Sequence, residues 1–187
     1  MSGAGMTVLI VLVVLAVLVA IGLAVRPWLR RRRLQDRFGP EYDRAVQESE
    51  SRRAAEQELT EREKRHSQLQ LRELSEDEKA RYGQQWAHVQ EQFIDDPVRS
   101  LDNADRLLVS VMSDRGYPTE DFQQQLADLS VRHAAPLEQF RTAHEIAGRA
   151  ASGQASTEDM RAAIVHYREL FVDVLDGNRA GQTAPNK

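Results

Sequence analysis

The 187-residue chain contains no cysteine, which excludes disulfides, zinc-thiolate sites and thiol nucleophiles. Aromatic residues make up only 6% of it and prolines number six. No stretch shows the period-two alternation of a half-buried strand. There is no glycine-rich phosphate loop, no H-E-x-x-H and no nucleophile in a recognisable setting. The first 25 residues carry no charge at all, so all 25 Lys and Arg and all 29 Asp and Glu fall after them. The mean hydropathy of −0.54 therefore averages an apolar head and a very polar body.

What is present begins with Met6 to Val25, twenty uncharged and mostly Val, Leu, Ile and Ala residues. As a helix this run is about 30 Å long, the thickness of a bilayer's hydrocarbon core. It lacks the basic n-region, short core and small-residue cleavage site of a removable signal, so a retained transmembrane anchor is expected. Arg26, Arg30, Arg31, Arg32, Arg33 and Arg37 follow at once, opposed only by Asp36. Basic flanks stay on the cytoplasmic side, which predicts an outside N-terminus and a cytoplasmic body. Arg26, Arg30, Arg31, Arg32 and Arg33 would then lie at the membrane interface with Trp28, whose ring suits the headgroup belt. Ala16, Ala20 and Ala24 form a small-xxx-small face on which two such helices could associate.

Charge narrows the partners. Residues 26–37 balance to +5, which leaves −9 for the rest of a chain of net charge −4. An acidic body does not suit nucleic acid, whose binding depends on neutralising phosphates.

Residues 26–40 are read as an arginine-rich juxtamembrane segment ending in Phe38-Gly39-Pro40, a helix break with Pro40 placed to open the next helix. Residues 41–74 are rich in Glu, Arg, Gln and Ala and are expected to form a charged helical stalk. Glu48–Arg52, Glu58–Arg62 and Glu61–Arg65 have favourable i to i+4 spacing. Tyr42, Val46, Ala55, Leu59 and Leu69 are too sparse for sustained heptads, so a coiled coil is only a secondary possibility. Glu63 and His66 have E-x-x-H spacing, but a di-iron bundle needs a second copy and further carboxylates.

Residues 75–176 read as an all-α domain of about five helices. Ser75 and Glu78 form a capping box before the stripe Tyr82, Trp86, Val89, Phe93. Asp96-Pro97 opens a second helix with Val98, Leu101, Leu107, Leu108, Val111 and Met112 inside, and Gly116 ends it. Pro118 holds Tyr117 extended and Thr119 is placed to cap the helix of Phe122, Leu126 and Leu129. Pro136 opens the next, with Leu137, Phe140, His144 and Ala147 on its apolar side. Ser156 or Thr157 caps the last, which carries Met160, Ile164, Tyr167, Leu170, Phe171, Val174 and Leu175 and ends at Gly177. Residues 177–187 read as a disordered tail. Of the imidazoles, His144 reads as a partly buried, hydrogen-bonded core residue.

The apolar span, "LQDRFGPEYDRAV", the Glu/Arg stretch, "RGYPTEDFQQQLADLSV" and "VHYRELF" resemble an uncharacterised group of single-pass membrane-anchored actinobacterial proteins. The resemblance implies this architecture and no activity. The expectation is a non-enzymatic membrane protein without cofactor or metal, presenting a cytoplasmic helical interaction domain to a protein partner. Arg115 and Tyr117, at an interhelical turn, are the candidate contact, with Tyr117 packed into the core as the alternative reading. Two alternatives are an anionic-lipid sensor using the juxtamembrane arginines and a helical ligand-binding protein or enzyme.

Overall fold

A computed structural model describes residues 3–177, apart from the side chains of residues 3–10, 14, 17–24 and 27. All regular structure among the described residues is α-helical: α1 (Gly3–Phe38), α2 (Pro40–Glu48), α3 (Arg52–His66), α4 (Glu76–Asp95), α5 (Pro97–Arg115), α6 (Phe122–Leu129), α7 (Leu137–Ala151) and α8 (Thr157–Asp176). Among the described residues no helix is long and apolar enough to cross a membrane. Most side chains of the Met6–Val25 run, including Ala20 and Ala24, lie outside the described residues, as does the tail from residue 178.

The end of α1, α2 and α3 form one helical unit. Leu34 and Phe38, one turn apart, bury their side chains against Tyr42, Ala45, Ala55 and Leu59, with Val131 inserted from beyond α6. Gly39, at φ 47°, makes the sharp reversal between α1 and α2, and Pro40 occupies the first turn of α2, where its missing N–H is harmless. Ser51 caps α3 by accepting from the Ala54 amide. Moving along α1 from Arg30 to Arg37 moves the contacts along α3 from Glu56 and Thr60 to Glu63, so the two helices run parallel. Since α2 lies between them in the chain, it runs back toward the arginines.

This corrects the stalk expected over 41–74. The stretch is not one solvated spacer helix and not a coiled-coil strand. It breaks at residues 49–51, and residues 67–75 are not helical. The few apolar side chains are too sparse for a heptad seam but sufficient to cover Leu34 and Phe38. Glu58–Arg62 pairs as expected, whereas Glu48 pairs back to Arg44 at 2.9 Å because α2 ends before Arg52.

Helices α4 to α8 enclose the second and larger core. The local signals act as read: Ser75 and Glu78 complete a capping box, Asp96 accepts from the Arg99 amide, and Gly116 (φ 93°) and Gly177 (φ 73°) end α5 and α8 in the left-handed region. Ser156, with Asp159, supplies the last cap. Two details differ. Asp121, not Thr119, caps α6, because the helix begins at Phe122 and the Asp121 carboxylate accepts from the Gln124 amide at 2.7 Å. Val98 is exposed rather than buried. Inside, Trp86 stacks on Phe171 with ring centroids 4.8 Å apart, and Phe140 meets Tyr167 edge-on.

Gly116 is also where the α5 end meets the chain after α3. A Cβ there would lie 2.7 Å from the Gln70 carbonyl oxygen, on a backbone already at positive φ. Gly116→Ala should therefore destabilise the fold by about 1–3 kcal/mol, read as a lower midpoint in denaturant titration.

Candidate functional site

The arginine collar continues α1 and is divided between two tasks. Arg30 donates to the Glu56 carbonyl (3.2 Å) and to Thr60 Oγ1 (2.8 Å). Arg33 pairs with Glu63 at 2.7 Å. Both hold α3 alongside α1. Arg31 is half-buried, with Nε lacking a partner among the described residues. Arg26 and Arg32 face outward with Trp28 and Leu29, and the Arg32 guanidinium sits 5.6 Å from the Trp28 ring centre. The outer face of the collar is thus cationic and aromatic, while the inner face is structural.

The candidate contact at Arg115 and Tyr117 is corrected by burial. Arg115 is 3% exposed and Tyr117 4%, so neither presents a surface. Arg115 Nη1 donates to the Val174 carbonyl, closing the C-terminal end of α8. Burial lowers the pKa of this guanidinium and raises that of the Tyr117 phenol. Tyr117 O–H lies 3.3 Å from His133 Nε2, and His133 Nδ1 lies 2.7 Å from Asp173 Oδ2. This chain ties the α5–α6 turn to α8. The residue at an interhelical turn is inward-facing because Gly116 and Pro118 fold the turn under α8, a placement the local sequence does not specify.

His66 closes the cluster from α3. It is 8% exposed, its ring centre is 6.1 Å from that of Tyr117, and Nε2 has no partner among the described residues. Burial first, then the nearby Arg132 and Arg37, lower its pKa to about 4. Glu63, three residues earlier, turns instead to Arg33. The E-x-x-H residues therefore diverge, and no group of three metal-ligating side chains occurs among the described residues.

His144 lies elsewhere, stacked on Phe122 at 3.9 Å with Nδ1 3.3 Å from Asp105 Oδ1. Tyr167 donates to the same oxygen at 3.0 Å. These groups edge a groove of about 500 Å³ between α5 and α7, with Val98, Ala147 and Gly148 along it. His144, 41% exposed and joined to Asp105, is the partly buried, hydrogen-bonded residue expected of it, while the buried imidazole His133 did not stand out in the sequence. The Tyr167 O–H donates to the Asp105 carboxylate, and no serine or threonine hydroxyl is joined to the Asp105–His144 pair by a hydrogen bond among the described residues.

No family model, curated protein or solved structure matches the chain.

Proposed function

We propose that the chain is a non-enzymatic, single-pass membrane protein that holds a helical interaction domain directly against the cytoplasmic face of the bilayer. The observation behind this reading is the continuity of α1. One unbroken helix leads from the uncharged apolar run through the arginine collar to Leu34 and Phe38, which are buried in the first core. Eight residues separate Arg26 from Leu34, roughly 12 Å of helix. A stalk would hold the domain at a distance, whereas an unbroken α1 supports a domain held near headgroup level. Tethering of this kind raises the effective concentration of the domain toward partners in the same membrane. The resemblance to actinobacterial membrane-anchored proteins agrees with the reading and adds no activity to it. A lipid-sensing role is less well supported, because Arg30 and Arg33, although solvent-exposed, also bond to α3.

The test is topology followed by proximity labelling. A fluorescent reporter fused after Lys187 should be bright in cells, and the protein should resist carbonate extraction. Labelling from the full chain should mark membrane-associated partners that a chain lacking residues 1–25 does not. Protease access to the C-terminal reporter from outside intact cells, or release by carbonate, would overturn the reading.

A further inference from the structure

The corner between α4 and α5, residues 94–99, carries groups that the fold itself leaves unused. Ile94 is 84% exposed, the most exposed large apolar side chain among the described residues, and Val98 is 41% exposed. Val98 also borders the groove of about 500 Å³ between α5 and α7, whose α7 wall is made of Ala147, Gly148 and Ala151. Gly148 sits inside α7, where glycine weakens a helix, yet a Cβ there would meet nothing within 4 Å. That wall is low and open, and no contact within the chain requires the glycine. The same corner holds one free charge of each sign. Asp95 and Arg99 are both exposed, and neither side chain has a hydrogen bond or ion pair among the described residues.

We infer that this corner and groove dock a second copy of the chain about a two-fold axis beside Val98. In a two-fold interface residue i of one copy meets residue j of the other, and the reverse, so a single patch must carry both halves of every contact. This patch does. It has an apolar knob, an open hollow, one unpaired carboxylate and one unpaired guanidinium. With the axis beside Val98, Ile94 of each copy turns toward the α7 wall of the other, and Asp95 of each faces Arg99 of the other. A partner of one charge sign would satisfy only one of the two free groups. The inference rests on the membrane role above and names a partner for it. A corner and one groove per copy form a small contact beside the roughly 1,200 Å² that stable complexes bury. Anchoring both copies in one bilayer supplies the local concentration that so small a contact needs.

The chain has no cysteine, so an introduced thiol is the sole crosslinking site. Full-length Val98→Cys is reconstituted in phosphatidylcholine vesicles, flotation reports whether it is anchored, and a short bismaleimide is added. Covalent dimers are expected at least about tenfold faster than from Gln84→Cys, an exposed position further back on α4. Gly148→Leu, added to Val98→Cys, fills the hollow, so it should leave the Tm unchanged or raised and cut crosslinking at least about fivefold. Arg99→Glu should weaken crosslinking similarly, and Asp95→Arg combined with Arg99→Glu, which exchanges the two signs, should restore it. Equal rates from Val98→Cys and Gln84→Cys would overturn the inference. So would crosslinking that Gly148→Leu and Arg99→Glu both leave unchanged, which would place the association in the anchor helix instead. Flotation without crosslinking sinks this inference alone, whereas a chain that does not float sinks the membrane role and this contact with it.

Discussion

Arg141→Ala should destabilise the protein by about 3–5 kcal/mol, more than truncation of any exposed ion pair. Arg141 on α7 meets Glu41 on α2 with both forks, Nη1 to Oε1 at 2.5 Å and Nη2 to Oε2 at 2.6 Å. Glu41 is only 3% exposed and the Arg141 side chain 13%, so water cannot replace the lost partner without opening the contact. The neighbouring Arg44–Glu138 pair, at 2.6 Å, is considerably more exposed and should contribute about 0–1 kcal/mol. The pair joins the α1–α3 unit to the larger bundle, so hydrogen exchange in Arg141→Ala should accelerate first in α2 and α3. The double replacement Glu41→Gln with Arg141→Met, which leaves no buried charge, should recover most of the loss. A loss below about 1 kcal/mol for Arg141→Ala would mean that Glu41 is hydrated and the joint is loose.

That joint explains what the sequence could and could not reveal. Ser75 with Glu78, Asp96 before Pro97, Gly116 and Gly177 act within a few residues, so their effects on helix ends are legible without knowing the fold. The apolar stripes of α4, α5 and α8 likewise carry their own period. Glu41 and Arg141 are 100 positions apart and look like two ordinary surface charges among many. Tyr42, Ala55 and Leu59 look like a failed coiled coil because their partners, Leu34 and Phe38, sit behind six arginines in a segment that reads as membrane flank. Tyr117 looks exposed for a similar reason, since its burial depends on α3 supplying His66 and the α6–α7 connection supplying His133. Local signals fixed where helices begin and end, while the packing partners across the chain decided which polar residues are inside.

The buried imidazole of His66 gives the second large effect, a loss of stability on mild acidification. Folded His66 is held neutral, with a pKa lowered from 6.5 to about 4, mainly by burial and then by Arg132 and Arg37. The unfolded chain takes up a proton near pH 6.5, whereas the folded chain resists it until about pH 4. Above pH 6.5 the contribution is fully present, and it declines as pH falls through the window between the two values. At 1.36 kcal/mol per pKa unit, the loss approaches about 3 kcal/mol at the acidic end. Other groups around the ring act in both directions: His133 opposes its protonation, while Asp128, whose Oδ1 has no partner, favours it. The depressed carboxylates Glu78 and Asp159 lose their contributions below their unfolded values, in a more acidic range, so they overlap little with the His66 window. Denaturant titrations from pH 7.5 to 4.5 should therefore show falling stability in the parent chain and a flatter profile in His66→Gln. Asp128→Asn, by removing a nearby group that favours the imidazolium, should carry the fall on to lower pH. Parallel profiles for the parent chain and His66→Gln would show that the ring is hydrated and titrates as in the unfolded chain.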